Sequence, residues 1–226
     1  MYDYEEACPI SHASSVLGER WTLQIIREML FGASRFTDFQ KYLPRLSPTL
    51  LNSRLRSLEE AGIVIKKRIS GQRGYEYLLS PSGQALAPVL REIGKWGIHW
   101  VFDSMDPSQL NVAALVRDFA VSLNLDQLPS GDTHIQFNIL RDDDRHVSFV
   151  SVREGRSQVC DVDPGHEVDI YLTATAETFG NIWYGNISIE KAIRTKALTV
   201  AGNKFYVQRL SRWLGTSKIA QAAKEA

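Results

Sequence analysis

At 226 residues the chain can bury a core in one large domain or two small ones, and 44% hydrophobic with 23% charged residues excludes a disordered composition. Two distant cysteines, Cys8 and Cys160, exclude a disulfide framework or a cysteine-built zinc site. No run approaches the ~18 apolar residues of a membrane span, and the acidic opening Met1–Glu6 lacks the apolar core of a secretory signal, so a cytoplasmic location without membrane association is expected. The charge balances at 26 basic against 26 acidic residues, but not locally. Arg20–Arg73 holds 11 Lys and Arg against 4 Asp and Glu, whereas residues 106–226 hold 13 against 15, so only the first half is suited to a polyanion.

The periodicity predicts a first helix from Ser11 to Phe31 carrying Val16, Leu17, Trp21, Ile25 and Ile26. Thr37-Asp38-Phe39-Gln40 has the form of a capping box and opens a short helix through Tyr42, which Pro44 stops. Ser47-Pro48 supplies an N-cap and a first-turn proline for a helix to Ala61, closed by Gly62. Strands Ile63–Ile69 and Tyr75–Leu79 follow, joined by a basic Ser70–Gly74 tip. Ser80-Pro81 then opens a long helix from Ser82 to about Phe102. Helix, short helix, capped helix, basic hairpin, helix is the order of a winged helix-turn-helix, with 48–61 as recognition helix.

Leu51, Leu55 and Leu58 form one stripe of that helix, which leaves Thr49, Asn52, Ser53 and Arg56 on the opposite face. Small polar side chains and one guanidinium suit base edges and phosphates. Ser47 at the helix N-terminus favours a phosphate, and Arg35, Lys41 and Arg73 are further expected contacts to double-stranded operator DNA. An ordinary solvated helix face is the alternative, and the order of the surrounding elements favours DNA.

Cys8-Pro9-Ile10, Gly18–Leu23, Arg35–Phe39, Leu46–Glu59 and Tyr75–Leu79 closely resemble the HxlR-type family of bacterial winged-helix regulators over roughly residues 7–102. The resemblance implies a homodimer on a near-palindromic operator. The last helix agrees: Leu86, Val89, Leu90, Ile93, Trp96, Ile98, Trp100, Val101 and Phe102 give it more apolar surface than one internal face needs. Its other use would be cover by the second domain. Some HxlR-type regulators sense oxidants through a cysteine at the place of Cys8. A helix N-terminus there would favour a thiolate, the alternative being a small half-buried apolar residue. Ser70–Gly74 is glycine-rich where many relatives have prolines.

Met105–Ser108 is read as a boundary, giving a winged-helix DNA-binding and dimerisation domain at 1–105 and an α+β domain at 106–226. In the second, Ile135, Phe137 and Ile139 alternate on one strand, Val147 and Phe149 on the next, and Val168, Ile170, Leu172 and Ala174 on a later one. Helices are expected at 112–123, 176–184, 189–194 and 205–214, covering one face of an antiparallel sheet. Val168–Thr173, Thr178–Gly185, Ala192-Ile193 and Leu198–Gly202 resemble the sterol-carrier-protein-2-like fold, best over 165–214. This implies an apolar tunnel for a hydrophobic small-molecule effector, with Phe137, Phe149, Phe179, Trp183, Phe205 and Trp213 as wall residues or as ordinary core. His134, His146 and His166 lack metal-ligand spacing, Asp142–Asp144 reads as a solvated turn, and no catalytic fingerprint occurs. The expectation is a non-enzymatic transcription regulator with no catalytic residue, metal or cofactor. In it the second domain is either an effector site or only a packing or protein-interaction module.

Overall fold

The computed structural model describes residues 7–101, 110–141 and 144–224. The chain divides into two compact units between Gly94 and Lys95, part-way along a helix. The expected helix end at Phe102, the Met105–Ser108 boundary and Asp142-Asp143 lie outside the described residues.

The first unit contains α1 (Pro9–Leu17), α2 (Thr22–Leu30), α3 (Phe36–Tyr42), α4 (Pro48–Glu60), β1 (Val64–Arg68), β2 (Tyr75–Leu79), α5 (Pro81–Gln84) and the start of α6 (Ala87–Trp100). Three expectations are corrected here. The single helix from Ser11 to Phe31 is two, because Gly18 caps α1 and Trp21 takes a left-handed φ of 78° before α2. That conformation interrupts the helical hydrogen-bond ladder. The box at Thr37–Gln40 is displaced. Asp38 is the capping carboxylate, and its Oδ2 accepts from the Arg35 N–H at 2.8 Å and the Ser34 N–H at 3.0 Å. The long helix after Ser80 is also two: Pro88 has no N–H to offer the Gln84 carbonyl, and its ring crowds that carbonyl.

Around these turns Ile25, Ile26, Phe39, Leu51, Leu55, Leu58 and Val64 form one buried cluster. Strands β1 and β2 pair antiparallel from Val64↔Leu79 to Arg68↔Tyr75. The residues before α3 extend this wing, since the Tyr77 N–H donates to the Ser34 carbonyl at 2.7 Å and Arg35 bridges Glu76.

The second unit takes in the rest of α6, then α7 (Val112–Val121), β3 (Thr133–Arg141), β4 (Asp144–Arg153), β5 (Arg156–Cys160), β6 (Ile170–Thr175), α8 (Ala176–Trp183), α9 (Ile189–Arg194), β7 (Thr199–Gly202), α10 (Lys204–Gln208), α11 (Leu210–Trp213) and α12 (Lys218–Lys224). The expected helix at 205–214 is interrupted at Arg209. The sheet runs β5-β4-β3-β6-β7. It is mixed and not antiparallel: the chain leaves the β5 edge and returns beside β3 with β6 parallel to it. Asp169 anchors that return, since its N–H donates to the His134 carbonyl and its Oδ2 accepts from the His134 N–H at 2.8 Å.

Side chains on the helix-covered face, including Ile135, Phe137, Ile139, Val150, Val152, Ile170, Leu172 and Ala174, are buried together with α7 and α8. Val147 and Phe149 share one face of β4 as expected, but Phe149 as a wall residue is corrected, because that face is not the helix-covered one. Phe137 lies opposite Ser148 and Gln136 opposite Phe149, so Phe149 belongs to the other face. The alternation misleads because the inward row contains Ser148. That serine has no solvent exposure, donates to Asp161 Oδ1 at 3.3 Å and lies 3.0 Å from His146 Nε2.

Candidate nucleic-acid interface

The site is built on α4. Ser47 caps the helix, its Oγ accepting from the Leu50 N–H at 3.3 Å, and Pro48 occupies the first turn, where no N–H is needed. Leu51, Leu55 and Leu58 are buried, which fixes which way the helix faces. Ser47, Thr49, Asn52, Ser53 and Arg56 are exposed. The Arg56 side chain has no hydrogen bond or ion pair among the described residues.

Arg35 caps α3 and is exposed; its Nη1 and Nη2 each donate to Gln72 Oε1 at 3.3 Å, which brings the α3 N-terminus and the wing tip together. Arg73 is exposed on that tip, beside Gly71 and Gly74 with φ of 71° and 113°, values that suit glycine. Lys41 lies near the opposite end of α3 from Arg35, half-buried, its Nζ 5.7 Å from the Tyr42 ring centre.

Four further basic residues bear on this surface. Lys66, Lys67 and Arg68 are exposed along β1. The Lys66 ammonium sits 4.4 Å from the Tyr75 ring centre, which holds it on the strand, and Lys67 lies opposite Glu76. The Lys-Lys-Arg run was itself the signal. Arg54 is the fourth: on α4 itself, it turns away from the outward row to pair with Glu19. No linear pattern signals that pairing.

In the second unit five of the six aromatic candidates, all but Phe149, belong to one apolar core. Phe137, Phe179 and Trp183 meet around Phe119, with ring centres 5.2–5.9 Å apart. Phe119 was not singled out, although the apolar spacing of α7 could have shown it. Trp213 donates its indole N–H to the Tyr206 carbonyl at 3.0 Å, and Phe205 lies edge-on to Tyr206. Phe149 is on the other sheet face, as described above.

Cys8 is a half-buried, free thiol at the N-cap of α1. Its pKa is lowered, first by the Ser11 N–H, then by the Ser11 hydroxyl and the Ile10 N–H. Among the described residues no three His, Cys, Asp or Glu gather as metal ligands, and no helix is long and apolar enough to cross a membrane.

Comparison with known proteins finds a family match in each half of the chain. A family described as HxlR-like helix-turn-helix matches residues 16–105, and one described as the SCP-2 sterol transfer family matches residues 126–215. The chain is 39% identical over 108 residues to the HTH-type transcriptional regulator YvaP of Bacillus subtilis (strain 168), an alignment spanning 47% of this chain and 96% of that protein. YybR of the same organism, also an HTH-type transcriptional regulator, is 30% identical over 99 residues, 43% of this chain and 78% of its own. Among solved structures, the reduced transcriptional regulator YodB from B. subtilis aligns with a TM-score of 0.38 at 29% identity, over 45% of this chain and 100% of that one. The chain belongs to the HxlR-like helix-turn-helix family of transcriptional regulators and carries an SCP-2 family domain in its second half.

Proposed function

We propose that the protein binds operator DNA as a homodimer. Thr49, Asn52, Ser53 and Arg56 enter the major groove, Ser47 and Lys41 contact the backbone, and Arg35 and Arg73 reach phosphates beside the wing. The observation that carries this reading is the exposed polar row of α4 opposite three buried leucines. The dimer is supported by the apolar stripe of α6, where Val89, Ile93, Trp96 and Trp100 are exposed at helical spacing. Two recognition helices about 34 Å apart would meet successive major grooves. The test is selection of bound fragments from the host genome, followed by their affinity for Arg56→Ala. Loss of affinity in a folded variant supports the face; unchanged affinity removes it.

A functional division at residues 105 and 106 would give DNA reading and dimerisation to the first part and response to the second. The matching family's description points to a hydrophobic small molecule as effector, and Phe137, Phe179 and Trp183 would meet it from the interior. Its binding must favour one dimer geometry over another, by ~1–3 kcal/mol for typical coupling. An apolar molecule retained in native mass spectrometry supports this role; a ligand-free protein leaves the second unit a packing or protein-interaction module.

The hydrogen bonds that lower the Cys8 pKa favour a second input, oxidation of this thiol by a diffusible oxidant. Operator affinity that diamide does not change rules this input out.

A further inference from the structure

The outward face of α4 is flanked by a side chain that does not share it. Arg54 stands between Ser53 and Arg56, yet its side chain is only 16% exposed. Its Nη2 meets Glu19 Oε2 at 2.7 Å, and its Nε donates to the Arg20 carbonyl at 2.9 Å. Both partners lie in the turn between α1 and α2. That turn is itself held: Trp21 adopts its left-handed conformation while packed against the core, and the Arg20 guanidinium lies 5.5 Å from its ring centre.

The three buried leucines set which face of α4 turns inward, but apolar contact has little directional preference and leaves the fine rotation of the helix to other contacts. A guanidinium whose planar fork engages a carboxylate and a carbonyl does have one. The pair ties two separate elements together through two directed contacts, and that gives it a geometric effect.

We propose that Arg54 and Glu19 are positioning residues for DNA recognition, clamping the rotation and height of α4 so that Asn52, Ser53 and Arg56 meet base edges in register. The proposal rests on the DNA-binding reading of α4 and deepens it. It also ties the recognition helix to the turn that ends α1, so any displacement of α1 is passed to α4 through Arg54.

A clamp and a direct contact predict opposite signs at Glu19. Removing a carboxylate from a unit that binds a polyanion strengthens binding by charge alone. If Glu19 instead holds Arg54, Glu19→Gln weakens specific binding. The experiment measures full-length wild type, Glu19→Gln, Arg54→Ala and Arg54→Lys on a genome-selected fragment and on a scrambled duplex of equal length. Several salt concentrations are used, with melting curves alongside.

Glu19→Gln and Arg54→Ala are expected to lose about tenfold in affinity for the selected fragment. Binding to the scrambled duplex should change by less than about twofold, and the slope of affinity against salt should be retained. Arg54→Lys, which keeps the charge without the fork, should lose specificity too. Glu19→Gln binding the fragment as tightly as wild type or tighter overturns the clamp. So does a salt slope reduced by about one in Arg54→Ala, which makes Arg54 a phosphate contact. Unfolding of both Glu19→Gln and Arg54→Ala also overturns it, by making the pair a stability element. A wild type that selects no fragment defeats the DNA-binding reading itself, a result distinct from the other three.

Discussion

Neighbouring residues on one helix face have separable roles here. Arg56 extends from α4 with no intramolecular partner among the described residues, whereas Arg54, two positions earlier, is held by Glu19. Arg56→Ala is therefore expected to lower operator affinity at least several-fold while leaving the melting temperature nearly unchanged, as ordinary exposed positions do. Asp38 behaves differently. Its carboxylate serves two backbone donors at the start of α3, so Asp38→Ala should cost about 1 kcal/mol in denaturant unfolding. The second unit adds a pH dependence. His134 has a lowered pKa, first through burial, then through His166, stacked 4.8 Å away, and Arg153, with Asp169 and Asp132 opposing. The folded chain thus takes up that proton at lower pH than the unfolded chain does, and stability falls as pH drops below the ordinary imidazole range. Acidification from about pH 7 to about pH 5 should destabilise wild type more than His134→Gln, as read by urea unfolding at each pH.

At the scale of elements, what the sequence disclosed depended on how local the cause was. Ser47-Pro48 and Gly62 mark both ends of α4 because caps are made within a few residues. The break at Gly18–Trp21 was hidden because apolar residues continue at helical spacing on both sides of it. The face of β4 was misread because a satisfied buried serine interrupts its apolar row. Pairing of β6 with β3 is a long-range choice that no alternation pattern encodes. The Arg54–Glu19 contact is similarly non-local, so the site's outward row was legible and its clamp was not. Close packing between elements gives a further expectation. A Cβ on Gly215 would overlap the Ser122 carbonyl, so the segment after α11 approaches the end of α7 only because that residue has no side chain. Gly215→Ala should destabilise the second unit by about 1–3 kcal/mol, which thermal unfolding would register. On α6 the exposed Trp96 and Trp100 belong to the proposed dimer stripe. Trp96→Glu is expected to shift the protein towards monomer in light scattering; an unchanged mass would show that the stripe serves something else.

For the whole molecule, the local charge, the winged helix and the family membership agree on a DNA-binding output, and the second half is a separate fold with its own core. Its aromatic residues were expected as tunnel walls or as ordinary core. Phe119 joins Phe137, Phe179 and Trp183 into one packed group, so an effector entering there must part rings already in contact. DNA reading by the outward face of α4 underlies the whole molecule's output. Its most direct test is the affinity of wild type and of Arg56→Ala for fragments selected from the host genome, measured across salt concentrations. A selected sequence should be bound far more tightly than scrambled DNA, with affinity falling steeply as salt rises and weakened in a folded Arg56→Ala. Equal binding to selected and scrambled duplexes, or an Arg56→Ala variant indistinguishable from wild type, would contradict it.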